Sequence, residues 1–233
     1  MTAVKHDIPL QFTADSWGYT YDQLRTDEWD IPVLEPVRVD FAKYAWIGFN
    51  YATGIKPDDD QATEYGVHFF VKDYIFKAIW NNMGRYTDTM SKFGCMTTPQ
   101  FSAFLDYPKP LKLFNYYRSH AVGAYWQAHG LTVIPSMYLG QLPAEYEWCF
   151  DGTPKHGSVA VSTLGCGKSP ALRKLFCMGF EEMMKQVEPY NILWYGEYFE
   201  ECRGDIFQIP SYNAERWRGK SSDNTIVQGV NSI

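Results

Sequence analysis

The chain has 233 residues, 45% hydrophobic and 17% aromatic, enough to bury a full core as one large domain. A net charge of −6 and a pI near 5.4 exclude a global basic field that would hold a nucleic-acid duplex by its phosphates. Any nucleic-acid contact is therefore local, at the Lys109/Lys112/Arg118, Lys168/Arg173/Lys174 or Arg216/Arg218/Lys220 clusters.

Residues 1–43 carry the "DIP" and "LEP" punctuation and little periodicity, which reads as an N-terminal arm or cap. They begin "MTAVKHDIPLQF", without the apolar run of a signal peptide, and no later run approaches the length of a membrane span. A soluble protein of a reducing cytoplasm is expected. Residues 44–215 form the core domain, and 216–233 a polar C-terminal tail.

Within the core, "AWIGFNYA" (45–52) and "GVHFFVKD" (66–73) are short apolar runs bounded by Gly and Asp, the pattern of buried strands. Asp73 then stands as the N-cap of a helix whose Phe76, Ile79, Trp80 and Met83 share a face. "CMTTPQFSAF" (95–104) is strand-like. Leu111, Phe114, Ala121, Tyr125 and Trp126 mark the apolar face of a helix closed by Gly130. "LTVIPSMYLG" (131–140) and "SVAVSTLG" (158–165) are strands, and Ser169-Pro170 opens a helix stopped by Pro189. "NILWYGE" (191–197) and "DIFQIP" (205–210) complete seven runs. Strands separated by helices predict a single α/β domain with a mostly parallel sheet. The absence of a Gly-rich turn after the first strand favours a TIM-barrel-like arrangement, irregular or incomplete, over a dinucleotide-binding open sheet, though periodicity alone leaves both.

"VSTLGCGKSPALRKL" (161–175) resembles a phosphate-binding loop. A Walker loop requires a first glycine where Ser162 stands, and Pro170 removes one of the amides that would wrap the phosphates. An NTPase is not the expectation. Two readings stay open: an anion site at a helix N-terminus with Lys168 beside it, or a tight strand-to-helix turn.

In a barrel-like sheet the chemistry gathers at the C-terminal strand ends. There the sequence offers Asn50, Asp73, Asp106, Ser136, Ser162, Thr163 and Glu197. Asp73 and Asp106 are the carboxylates for acid/base or nucleophilic work, with helix capping and an ordinary turn as their structural alternatives. Arg118, on the apolar helix face, calls for a partner such as Asp106 or Asp151. The long connection "YEWCFDGTPKHG" (146–157), which carries Asp151, reads as a pocket wall or a turn. No cofactor is indicated, a magnesium ion held by Asp73 and Asp106 being the one left open. Histidines show no ligand spacing, so no metal residues are named. Five widely spaced cysteines without a C-x-x-C pair imply neither a disulfide framework nor a zinc site.

The motifs "FNYA", "GVHFFVKDYIFKAIWNN", "TTPQFSAFLDYP", "NYYRSHAVGAYWQAHGLTVIPS", "FCMGFEEMMK" and "CFDGTPKHGSVAVST" resemble a phage- and bacterium-encoded family known only as a domain of unknown function. The resemblance covers roughly residues 45 to 197. It implies an α/β core and a home in phages and mobile elements, and it supplies no reaction. "FLDYP", "LTVIPS", "STLGCG" and "LWYGE", in that order, are also similar to the TIM barrels of queuine-type tRNA and DNA base transglycosylases. That resemblance would put Asp205 of "GDIFQIPS" in the nucleophile's place, but its spacing to Pro210 differs by one residue and the family's zinc cysteines are absent.

These readings combine into a pocket for a nucleobase, nucleotide or nucleic-acid end. Asp73 and Asp106 would perform its chemistry, Asn50, Arg118 and Ser162 would position the ligand, and Lys168 would meet phosphate. The alternatives are a non-catalytic binding protein, such as a host-factor inhibitor or nucleotide sponge, and an accessory replication or recombination protein that stacks single strands on Trp217 beside Arg216, Arg218 and Lys220.

Overall fold

A computed structural model describes residues 24–55, 60–167 and 169–209. Lys168, Pro210, the C-terminal tail and the Arg216/Trp217/Arg218/Lys220 cluster lie outside the described residues.

The protein is a mixed α/β structure whose strand ladders are all parallel. The first sheet holds β1 (Ala45–Gly48), β2 (Tyr65–His68), β3 (Cys95–Thr97) and β4 (Val133–Ile134), in that spatial order. The second holds β5 (Ser158–Ser162), β6 (Asn191–Tyr195) and β7 (Ile206–Ile209). A parallel bridge from Ser136 to Ala160 joins them, with Ala160 N donating to Pro135 O (2.9 Å) and Met137 N to Ala160 O (2.8 Å). The strands thus follow chain order across both sheets.

Each strand is shorter than its apolar run, for local reasons. Pro99 and Pro135 end β3 and β4 early, since proline brings no amide to a ladder. The second half of "AWIGFNYA" is not strand but a helical turn, α1 (Phe49–Ala52). The helix expected after β2 is broken into α2 (Asp73–Phe76), α3 (Ala78–Asn81) and α4 (Met83–Met90), the last break at Asn82, whose φ −155 and ψ 60 are not helical. Two long helices remain, α5 (Lys109–Ala128) and α6 (Pro170–Gln186). In α6, Ser169 caps the amide of Leu172, and Phe176, Gly179, Phe180 and Met183 recur at the spacing of one buried face.

In α5 Ala121, Tyr125 and Trp126 are buried as expected, but the stripe departs from the expected one in the first half of the helix. Leu111 and Phe114 are exposed, while Lys112, Asn115, Tyr116, Ser119 and His120 point inward. The inward polar groups each meet a partner from elsewhere in the chain: Lys112 the carboxylate of Glu145, Asn115 the carbonyl of Ser102, Ser119 the hydroxyl of Thr98, and His120, through Nδ1 alone, the carbonyl of Pro32.

Strand residues alternate between two apolar environments, the pattern of a sheet buried on both faces. Val67, Met96 and Val133 pack outward against the helices of the first half, and Val159, Val161, Ile192 and Trp194 against α6 and its neighbours. Inward, every strand or its immediate extension contributes to one further cluster: Trp46, Phe70, Cys95, Ile134, Ala160, Leu193 and Ile209 among them. Among the described residues no ladder joins β7 to β1, so no closed barrel forms. The ring of Phe41 contacts both edges, 5.8 Å from Trp46 and 6.2 Å from Phe207.

The described part of the N-terminal segment is laid into this core. Leu34 N donates to Gly152 O (3.0 Å), Ser158 N to Val37 O (2.6 Å), and Asn191 Nδ2 to Val39 O (2.8 Å). Among the described residues no helix is long and apolar enough to cross a membrane.

Candidate functional site at the strand C-terminal ends

The loops that leave β2, β3 and β4 converge with the first half of α5, and their polar groups form one linked chain. Asp73, the first residue of α2, does not cap its own helix; its carboxylate turns to the β3 loop, accepting the amide (2.9 Å) and the hydroxyl (2.8 Å) of Ser102. Asn115 Nδ2 donates to the Ser102 carbonyl (2.6 Å), and Arg118 Nη2 donates to Asn115 Oδ1 (2.5 Å). Ser102 and Asn115 thus bridge Asp73 to Arg118 without a direct ion pair.

The guanidinium of Arg118 lies over the ring of Phe101 (3.9 Å) and near that of Phe114 (4.8 Å). Its Nε is buried without a hydrogen-bond partner, and it forms no ion pair among the described residues. Neither Asp106 nor Asp151 meets it. Burial lowers its pKa, while nearby Tyr138 and Asp73 act in the opposite direction. Tyr138 donates to Phe101 O (2.9 Å), and desolvation drives its phenol far above the usual range. Phe114 beside the guanidinium is 45% exposed, and on the converging loops Tyr74, next to Asp73, is 67% and Phe104, two residues after Ser102, 58% exposed.

Ser136 sits just below, fully buried: its hydroxyl donates to Thr98 O (2.8 Å) and its amide to Thr98 Oγ1 (2.9 Å), so its side chain serves the junction between the sheets. Asp106 is exposed in the turn before α5, and the hydrogen bonds of the Ser102 bridge do not include it. Asn50 is exposed on α1, its Oδ1 close against Gly48. Near Gly48 lies His68, which the histidine spacing gave no reason to single out. Its ring packs on Tyr195 (4.5 Å) and Phe70 (5.8 Å), its Nδ1 has no partner, and burial lowers its pKa to about 4.

Ser162, Thr163 and Glu197 form a separate group at the ends of β5 and β6. Thr163 Oγ1 donates to Glu197 O (2.9 Å), Leu164 N to Ser162 Oγ (3.2 Å), and Trp194 Nε1 also to Glu197 O (2.9 Å). In the "GCGKS" turn, Gly165 takes φ +84, and the Glu197 carboxylate lies 2.6 Å from where a side chain on Gly167 would begin. A carboxylate in that place opposes an anion. The turn does what a strand-to-helix turn requires, with Ser169 as the cap.

Asp151 stands elsewhere, on the connection entering β5. Its carboxylate accepts the amide of Trp29 (2.9 Å), its carbonyl accepts the hydroxyl of Tyr116 (3.0 Å), and burial raises its pKa. It docks the N-terminal segment. No group of three His, Cys, Asp or Glu among the described residues is placed to hold a metal ion.

Comparison with known proteins gives this architecture a family. The model for a domain of unknown function, DUF4417, matches residues 24–213. The chain belongs to that family. The "Gene 1 protein" of Mycobacterium phage L5 is 34% identical over 170 residues, covering 70% of this chain and 73% of that protein. The protein of the same name from Mycobacterium phage D29 is 35% identical over 160 residues, covering 67% of this chain and 58% of that protein. The DUF4417 match contains the Asp73–Ser102–Asn115–Arg118 bridge and both sheets. No solved structure matches the chain.

Sequence reasoning reached Asp73 and Arg118 but missed Ser102, Asn115, Phe101 and Tyr138. An arginine on an apolar helix face was the available signal, and it pointed to a carboxylate where the fold supplies two rings and an amide.

Proposed function

We propose that this phage-type protein binds a phosphate-bearing, ring-containing ligand, a nucleotide or nucleic-acid end, at the rim formed by the β2, β3 and β4 loops. The observation that carries the reading is Arg118. It is a half-buried guanidinium clamped by Phe101 and Phe114, with a buried unpartnered Nε and no ion pair among the described residues. Such a cation is prepared to receive an anion, and the fork geometry of arginine suits phosphate. Exposed Phe104 and Tyr74 offer faces on which a base stacks.

In this reading Asp73 is the carboxylate linked to Arg118 through Ser102 and Asn115. With both oxygens held by Ser102, it orients a ligand's donor groups and takes a proton only if Ser102 releases it. That arrangement favours a binding protein over a hydrolytic enzyme, and a host protein carrying such a ligand is compatible with it. The seven parallel strands in chain order, with one inward cluster drawn from all of them, support an open, barrel-like sheet as the frame of the rim.

The test is thermal stabilisation of the wild-type chain by nucleoside mono-, di- and triphosphates, short oligonucleotides and inorganic phosphate, repeated with Arg118→Met. Stabilisation by a nucleotide that the variant loses supports the site. A variant shift equal to that of the wild type, or no shift with any of these compounds, sinks it. Mass spectrometry of the recovered ligand then separates binding from turnover.

A further inference from the structure

Three of the five cysteines, spread over the sequence, meet at one place. Cys177 on α6 and Cys202 on the β6–β7 connection have their sulfurs 3.8 Å apart, and Cys166, from the turn before α6, lies close enough to Cys177 to interact with it electrostatically. All are free thiols. The same two segments are already tied by Arg173, whose Nε and Nη2 donate to Glu201 at 3.1 and 2.6 Å.

We infer that Cys177 and Cys202 form a disulfide-competent pair, and that oxidation by a low-molecular-weight disulfide staples the β6–β7 connection to α6. A disulfide requires about 2.05 Å between sulfurs, so the two have to close by less than 2 Å, within reach of side-chain rotation. The order of events follows from exposure. Cys177 is half-buried, whereas Cys202 is 1% exposed and burial keeps its thiol protonated. Cys177, the more accessible sulfur, is therefore the one that attacks oxidised glutathione as its thiolate, with its proton passing to solvent, expelling a glutathione thiolate and leaving a mixed disulfide on its own sulfur. Cys202 then gives up its proton and attacks the Cys177 sulfur, expelling the second glutathione. Two protein thiols are oxidised and one glutathione disulfide is reduced to two thiols. The connection so pinned carries Glu197, which faces the Gly167 turn, so the bond would fix that end of the sheet.

The experiment equilibrates the full native chain with oxidised glutathione, blocks free thiols, and maps the peptides by mass spectrometry. The expected result is a Cys177–Cys202 cross-link, a fall from five to three free thiols, reversal by dithiothreitol, and a thermal midpoint several degrees higher, because a closed loop restricts the unfolded chain. In Cys177→Ser the Cys202 thiol stays free. Full alkylation of both cysteines after oxidation, a dominant Cys166–Cys177 link, or a cross-linked protein with a lower midpoint overturns the proposal.

Discussion

The carboxylate of Asp73 takes both the amide and the hydroxyl of Ser102, 29 residues further along the chain, at 2.9 and 2.8 Å. One side chain thereby ties the loop after β2 to the loop after β3. Asp73→Asn replaces one accepting oxygen with a donor that faces another donor, and a charge-assisted hydrogen bond is worth about 1.5–3 kcal/mol. We expect Asp73→Asn to lower unfolding free energy by about 2 kcal/mol and Ser102→Ala by about 1 kcal/mol. The double variant should cost less than their sum, which a double-mutant cycle in urea measures. Additive losses would mean that the two groups do not act together.

A second tie is fully buried. Lys112 on α5 and Glu145 form an ion pair with side chains only 3% and 9% exposed, and Glu145 also accepts the amide of Leu142 at 3.1 Å. Removing one partner strands the other charge away from water, which costs about 3–5 kcal/mol. Lys112→Met alone should therefore be severely destabilising. Lys112→Met with Glu145→Gln, which keeps an acceptor for Leu142, should recover a substantial part of the loss. Denaturant midpoints of the three proteins decide it, and a double variant no better than the single one would show that shape rather than charge governs the site.

These two ties also show what the sequence makes legible. Seven apolar runs in order, the helices between them and the capped turn at Ser169 follow from patterns a few residues long, and the parallel α/β layout follows from those patterns. The inward face of the first half of α5 does not. Leu111 and Phe114 mark a face by hydrophobicity, but Lys112, Asn115, Ser119 and His120 are drawn inward by Glu145, Ser102, Thr98 and Pro32, partners between 13 and 88 residues away. The gathering of Cys166, Cys177 and Cys202 is hidden for the same reason. Site residues were visible where a charge stood on an apolar face, as at Arg118, and invisible where an ordinary serine or asparagine became a bridge.

Acid should weaken the fold through two buried histidines. Burial lowers the pKa of His68 and of His120 from 6.5 to about 4, and His120 Nδ1 lies 3.1 Å from Pro32 O while its Nε2 has no partner. Between pH 6.5 and 4 the unfolded chain binds protons at these positions that the native chain refuses. Their contribution is thus complete above about pH 6.5 and is lost as pH falls toward 4, at up to about 3 kcal/mol each. Urea unfolding at pH 7.5, 6 and 5 should show falling stability, with a shallower slope in His68→Gln than in wild type. An unchanged slope would place the acid sensitivity in other groups.

The crossing of α6 over the segment after β4 leaves no room for a side chain at Gly179. A methyl group built there would lie 2.2 Å from the carbonyl oxygen of Leu139 and 2.9 Å from its carbon, and these are backbone atoms that cannot swing aside. Alanine would otherwise favour this helical position by about 1 kcal/mol. The clash outweighs that gain, because overpacking that displaces backbone costs about 1–3 kcal/mol or more. Leu139 is fixed in turn, since the same segment carries Tyr138, whose hydroxyl holds the carbonyl of Phe101 under Arg118. Gly179→Ala should therefore lower the thermal midpoint and also weaken any ligand response that depends on Arg118. Gly130→Ala, where a methyl group meets nothing within 4 Å, strains only its own backbone at φ 83 and should leave that response intact. Measuring both variants by thermal unfolding with and without ligand separates the two effects: an equal loss of ligand response in both would mean that lowered stability, not displacement of Leu139, is responsible.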